Sequence, residues 1–304
     1  MYLIDFFKNL TKKSNIGVLI YLILNTILMV ALLSNGFSSV EGIFIGLGLY
    51  ILSLCIALSP IGEWLLRMQN GCKEMTNKEE IDRLQPLFDE VYQKSKMANP
   101  ELPNNIKMFI SDDDSPNAFA TGRKTVCVTR GLLKYTDEQI KGVLAHEFGH
   151  LAHKDTDAIL VISVGNMIVS ALFVIIRVLA NISFGIANIM TAFMGEGLGS
   201  LFGFIFVTMG KIVADLLLTA LIWLWTKLGI LLCMYSSRQN EYLADKYAFD
   251  RGYGDELSSA LQDLSGGSSN SKGLFANLVS SHPDTDKRIA KLNELANGNS
   301  QLLS

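Results

Sequence analysis

The residues of this chain best equipped for chemistry are His146, Glu147 and His150, in the run His146-Glu147-Phe148-Gly149-His150. Two histidines four residues apart share one face of an α-helix, about one turn from each other, so both imidazoles can reach a single metal ion. Glu147 lies beside them, where a carboxylate can take a proton from water activated by that ion. Histidine is scarce in this chain, yet His146, His150 and His153 fall within one short stretch. Ile140, Val143, Leu144, Phe148 and Leu151 recur at helical spacing, and Thr136 followed by Gln139 reads as a capping box that opens the helix. Taken alone, the motif points to a zinc hydrolase.

A catalytic zinc takes three protein ligands and leaves one position open. His153 is close in sequence, but on an unbroken helix it lies about 10 Å along the axis from His146. No glycine bend follows His150, so His153 is expected to be a polar residue near the cytoplasmic end of the next apolar run. A better source is Asn240-Glu241-Tyr242-Leu243-Ala244-Asp245, where Glu241 and Asp245 stand four apart on one helical face. One carboxylate there can bind the metal while the other accepts from a ligand histidine's free ring nitrogen. An ordinary acidic helix surface has the same spacing, so the pair by itself leaves both readings open. Two histidines and a carboxylate also suit iron where more positions are open.

The elements that must position these residues are unusually apolar. The hydrophobic fraction is 49% and the mean hydropathy +0.30, and the excess is concentrated in four runs: 16–33, 43–58, 158–180 and 212–234. Each is close to the roughly 20 residues needed to cross a bilayer, and the first is too long for a cleavable signal. Lys8, Lys12 and Lys13 precede the first run, the link to the second carries only Glu41, and Arg67, Lys73 and Lys78 follow it. This bias places the N-terminus and the region after Leu58 in the cytoplasm, and Arg238 after the fourth run agrees. The net charge of −3 is too small to bear on nucleic acid, and without a basic cluster interleaved with aromatics no nucleic-acid partner is expected. Cys55, Cys72, Cys127 and Cys233 have no metal spacing and read as free thiols in a reducing compartment.

The expected fold is a mainly α-helical integral membrane protein, with four transmembrane helices and a cytoplasmic α+β part holding a small sheet. Residues 1–60 form the cytoplasmic N-terminus and a first transmembrane hairpin. Residues 61–157 carry a helix over 77–97, strands over 105–110, 117–121 and 125–129, and the His-Glu helix. Residues 158–234 form a second transmembrane hairpin, in which the glycine-rich segment 181–210 is expected to be an outside hairpin or re-entrant segment. Residues 235–304 return to the cytoplasm with the carboxylate pair, a Gly/Ser-rich loop, Ser281-His282-Pro283 and a final helix over 284–296.

Together, His146-Glu147-x-x-His150, Ser237-Arg238-x-x-Glu241-Tyr242-x-Ala244-Asp245, Ser281-His282-Pro283, Lys287-Arg288-Ile289 and Asn117-Ala118-Phe119-Ala120-Thr121-Gly122 resemble the HtpX-type membrane zinc metalloproteases of the gluzincin class. These are bacterial relatives of the CAAX prenyl endoproteases. The resemblance covers nearly the whole chain. It implies a zincin-like catalytic domain, one Zn2+ per chain, Glu241 as third ligand beside His146 and His150, and Glu147 as general base. It further implies action on damaged or misassembled membrane proteins at the cytoplasmic face of a bacterial inner membrane, in quality control or stress response. Asp245 and Arg288 are expected behind the ligands. His282 is expected to serve the oxyanion, to occupy the fourth metal position, or simply to cap a turn with Pro283. Asn117, Ala118, Phe119, Ala120 and Thr121 are expected to form an exposed edge strand that pairs with an extended substrate. Topology fits, since two crossings between His146 and Glu241 return the chain to one side of the bilayer. The His-Glu helix is expected to run directly into the third span, and the fourth span into the helix of Glu241. The alternatives are a prenyl-protein CAAX protease and a non-catalytic membrane scaffold or carrier.

Overall fold

The computed structural model describes residues 2–12, 15–34, 37–193, 198–266 and 285–302. They divide into two compact units, one formed by 1–164 with 232–304 and the other by 165–231.

The first unit opens with α1 (Tyr2–Leu10), α2 (Ile16–Leu33) and α3 (Val40–Ala57). Ser39 caps α3 by accepting from the Gly42 amide, satisfying one of the amides that a helix start leaves bare. A Cβ on Gly46 would stand 3.0 Å from the Val30 Cα, so its absence lets α2 and α3 pack closely. The next helix, α4 (Pro60–Gln69), is capped by the Ser59 hydroxyl and has proline in its first turn, where a missing N–H is harmless. It is followed by α5 (Lys78–Ala98), capped by Asn77.

Three strands follow: β1 (Lys107–Ser111), β2 (Ala118–Thr121) and β3 (Thr125–Thr129). The sheet order is β1-β3-β2, with β1 parallel and β2 antiparallel to β3. The β2–β3 hairpin turns at Gly122, whose φ of +59° favours glycine. A 3-10 turn (Arg130–Lys134) leads to α6 (Asp137–His153). Thr136 and Gln139 form a complete capping box at its start, and it ends at Lys154 in the left-handed conformation. The remaining helices are α7 (Thr156–Phe193), α8 (Leu198–Phe249), α9 (Gly254–Gly266) and α10 (Thr285–Leu302).

Leu84, Phe88 and Val91 from α5, Val126 and Val128 from β3, and Ile140, Leu144 and Phe148 from α6 share one buried cluster. In α6 the glycine at 142 has a packing role. A Cβ there would stand 2.4 Å from the Leu257 amide nitrogen, so α9 lies directly against the α6 backbone. In the second unit, Arg177 Nε and Asp215 Oδ1 of α7 and α8 pair at 3.2 Å.

The structure departs from expectation in three places. Segment 181–210 is helical over its described residues, since 181–193 continue α7 and 198–210 begin α8; Gly185, Gly199, Gly203 and Gly210 lie within helices whose length outweighs their low propensity. The expected span 158–180 begins too early. Ala158, Leu160, Val161 and Ile162 are buried in the first unit, and the exposed apolar stretch of α7 is Val174–Met190. Among the described residues, Val40–Ala57 and Phe202–Gly229 are long and apolar enough to cross a membrane, by length and composition, whereas Ile16–Ala31 and Val174–Met190 are shorter. Finally, α6 does not run into α7, since the left-handed Lys154 separates them. By contrast α8 is continuous from its apolar stretch through Glu241.

Phe88 is 2% exposed, and its ring centroid lies 5.3 Å from that of Phe148 on α6. Phe88→Ala should therefore remove about 3–5 kcal/mol of stability, read as a lowered denaturation midpoint of the detergent-solubilised protein.

Candidate active site

The H-E-x-x-H face of α6 is met by the carboxylate face of α8. The approach is set by Gly149, where a Cβ would stand 2.8 Å from the Ala244 Cα. Glu241 and Asp245 flank Ala244 by three residues and one on the adjoining turns, so the close approach delivers both carboxylates to the histidines. His146 is 3% and Glu241 6% exposed, which takes the cluster out of bulk water.

Each histidine is oriented through Nδ1. His146 Nδ1 lies 2.9 Å from Asp245 Oδ1, and His150 Nδ1 lies 2.9 Å from Asp155 Oδ2. Donation from Nδ1 to a carboxylate leaves both Nε2 atoms as lone-pair donors. Those two atoms stand 3.1 Å apart. Glu241 completes the group, with Oε2 at 3.3 Å from His146 Nε2 and Oε1 at 3.6 Å from His150 Nε2. A tetrahedral zinc with bonds of 2.0–2.1 Å requires its ligand atoms to stand about 3.3 Å apart. Nitrogen and carboxylate donors at this spacing fit zinc. The ligating atoms of His146, Glu147 and His150 also lie within 4.8 Å of one another. Glu147 is otherwise engaged: its Oε2 accepts from the Ala120 amide on β2 at 2.6 Å.

Arg288 of α10 closes the far side. It is 1% exposed. Its Nε and Nη2 donate to the two Asp245 oxygens at 2.7 and 2.5 Å, and its Nη1 lies 3.2 Å from Glu241 Oε2. Burial opposes charge on Asp245, yet the Arg288 guanidinium outweighs it and holds the carboxyl at about 2. Burial likewise opposes charge on His150, but Asp155 and the surrounding carboxylates outweigh it and push the ring up to about 10. His146 is also pushed up, its burial and Arg288 being overcome by Asp245 and Glu241. The buried carboxylates around the two rings thus favour positive charge on them.

His146, Glu147, His150, Glu241, Asp245 and Arg288 are therefore brought together. His282 lies outside the described residues. His153 ends α6 with its ring centroid 5.9 Å from that of Tyr247, and its Nδ1 is buried without a partner among the described residues. The expected strand 117–121 lies at the edge of the sheet and is less exposed than expected: Ala118, Ala120 and Thr121 are 4%, 7% and 1% exposed, Asn117 and Phe119 are half-buried, and Glu147 takes the Ala120 amide. Asp155 is the residue that sequence reasoning missed. It lies beyond the helix stop, and only the left-handed turn at Lys154 folds it back onto His150, so no helical periodicity announces it.

Zinc binds neutral imidazole, so each ion taken up must displace a proton from the His146–His150 pair. Apparent zinc affinity should therefore rise with pH up to about 10, the shifted His150 value, and level off above it, as read by chelator competition. Asp245→Asn should cost about 10–100-fold in that affinity.

Residues 78–296 match the model of peptidase family M48. The chain is 29% identical over 298 residues to "Protease HtpX homolog" of Tropheryma whipplei (strain Twist), covering 86% of this chain and 91% of that protein. It is 30% identical over 254 residues to "Protease HtpX" of Shewanella denitrificans, covering 76% and 81%. A structure described as "Crystal Structure of S. mikatae Ste24p" aligns with a TM-score of 0.44 at 21% identity, over 88% of this chain and 62% of that one. The family match extends over more than half of the chain, and it includes both the H-E-x-x-H helix and the carboxylate helix: this chain belongs to peptidase family M48 and is a metalloprotease of the HtpX type.

Proposed function

We propose that this chain is a zinc endopeptidase of a bacterial cytoplasmic membrane, cutting membrane proteins at the cytoplasmic face in quality control or stress response. The observation that carries the reading is the spacing of His146 Nε2, His150 Nε2 and the Glu241 carboxylate around one point, with Glu147 beside it. A zinc ion held there would supply Lewis acidity, activating water and polarising the scissile carbonyl. The chain's own residues do the rest. The Ala120 amide holds one Glu147 oxygen at 2.6 Å, which fixes the carboxylate in place. The other oxygen is left to take the proton of the attacking water and hand it to the leaving amine. Asp245 and Asp155 keep the histidines in the tautomer that presents Nε2. Arg288 compensates the buried Asp245 and Glu241 charges. Apart from the Ala120 amide that Glu147 takes, the edge of β2 would offer an extended peptide its remaining main-chain groups, with Asn117 and Phe119 as its more accessible side chains.

The membrane reading rests on the apolar helices and on chain length. At 1.5 Å per residue the 38-residue α7 and 52-residue α8 extend about 57 and 78 Å, well beyond the roughly 30 Å of a hydrocarbon core. One outward and one return crossing would bring Glu241 back to the side of His146. A carrier is disfavoured because Arg177 and Asp215, two ionisable groups within the apolar helices, pair with each other. A prenyl-protein protease is distinguished by assay, since it would cleave a prenylated peptide in preference to the unmodified one.

Glu147→Gln should retain one zinc per chain and lose about 10²–10⁴-fold in kcat on casein or a model membrane substrate. Glu241→Ala should lose the zinc itself. Stoichiometric zinc together with full turnover in either variant would remove the assignment.

A further inference from the structure

On α4 the side chains that meet solvent are the wrong kind for a soluble surface. Ile61, Trp64 and Met68 are 59%, 49% and 59% exposed. They stand at i, i+3 and i+7, so they form one apolar stripe. The opposite face carries Gly62, Glu63 and Leu66, all buried. An exposed stripe of this kind marks a surface that is covered in use.

The chain itself names what covers it. The apolar span Val40–Ala57 ends three residues before α4 begins. Gly62 holds α4 tightly against that end, since a Cβ there would stand 2.1 Å from the Ala57 carbonyl oxygen. A helix fastened this closely to the mouth of a membrane span starts at headgroup level, and tryptophan with flanking apolar residues is suited to that depth. The helix at the other end of the same hairpin has matching features: in α1, Ile4 and Phe7 are 62% and 48% exposed.

The inner face of α4 reaches the catalytic sheet. Glu63 Oε1 accepts from the Thr125 hydroxyl at 2.6 Å and from the Lys124 amide at 3.2 Å. Its carboxylate also fills the space that a Cβ on Gly122 would need, at 2.7 Å. Gly122 and Lys124 lie in the turn that ends β2, the strand whose Ala120 amide holds Glu147, and Thr125 opens β3. From α1, Asp5 lies 3.7 Å from Arg123 in the same turn.

We infer that α4 lies in the plane of the membrane surface, with Ile61, Trp64 and Met68 in the lipid, and that Glu63 on its inner face is a positioning residue for the β2 edge along which substrate lies. This rests on the membrane-protease reading above. It adds a lipid contact outside the spans and a path of contacts from the bilayer surface to the substrate strand.

The test uses the full chain reconstituted into phosphatidylcholine–phosphatidylglycerol vesicles. One form keeps only Trp64 (Trp223→Phe, Trp225→Phe), and a second keeps only Trp223, which lies within the span Phe202–Gly229. Lipids brominated near the headgroup end of the acyl chain should quench Trp64 emission more than lipids brominated at mid-chain, and Trp223 should be quenched as well. If Trp223 is quenched and Trp64 is not, the chain spans the membrane and the inference is wrong, whether α4 faces water or a second copy. If neither is quenched, the membrane reading falls and the inference with it. For the positioning half, Glu63→Ala should raise KM for an extended peptide severalfold at unchanged kcat and zinc content, and Glu63→Gln, which keeps an acceptor oxygen, should restore it. Thr125→Val, which removes the 2.6 Å bond together with the 3.1 Å bond that Arg67 Nη1 donates to the same hydroxyl, should shift KM in the same direction. Unchanged KM in Glu63→Ala and Thr125→Val would overturn the positioning role.

Discussion

The structure depends on how closely α8 can approach α6. Two helices share one metal ion only if side chains as short as histidine and glutamate bridge the gap between their backbones. At Gly149 the α6 backbone has no side chain, and Ala244 of α8 sits where one would be. That contact determines which α8 residues face the histidines. Glu241 and Asp245 lie on the contact face and reach His146 at 3.3 and 2.9 Å. The small residue between the two histidines of the motif is thus a packing requirement of the metal site.

The same closeness concentrates charge. Glu147, Glu241, Asp245 and Asp155 are all buried around the two imidazoles, and Arg288 is the guanidinium that faces the group. Buried carboxylates are costly unless each has a partner. The folded chain supplies partners unevenly. Asp245 has a bidentate arginine, Asp155 has His150 and Glu147 has a backbone amide. Glu241 shares Arg288 and still turns both oxygens towards the Nε2 atoms. The Nε2 atoms and the Glu241 oxygens meet where the donor spacing fits zinc, and the carboxylates around the rings push His146 and His150 up.

Much of this was legible in the sequence because it follows helical spacing. The 146–150 motif, the Thr136–Gln139 capping box and the 241/245 pair all follow from a period of 3.6, and the strands about Gly122 follow from turn chemistry. Arg288 was legible only through the family resemblance, since nothing in its local pattern separates it from a surface arginine. What escaped depends on chain reversals and on long-range cover. Asp155 reaches His150 through one left-handed residue. The position of β2 as a strand follows local pattern, yet the burial of its Ala118, Ala120 and Thr121 depends on packing from distant parts of the chain. Hydropathy placed the start of the third apolar run at Ala158, whereas the first turns of α7 serve the catalytic core; apolar composition does not distinguish burial in protein from burial in lipid. The glycine-rich 181–210 segment looked breakable, and two long helices run through most of it.

The central claim is that His146, His150 and Glu241 hold one zinc ion between α6 and α8. Anomalous diffraction at the zinc edge, on crystals of the zinc-loaded protein, tests it most directly. The account predicts one peak per chain, about 2.0–2.2 Å from His146 Nε2, His150 Nε2 and a Glu241 oxygen. A peak that leaves Glu241 unbound, or that is ligated by His153 in its place, would contradict it.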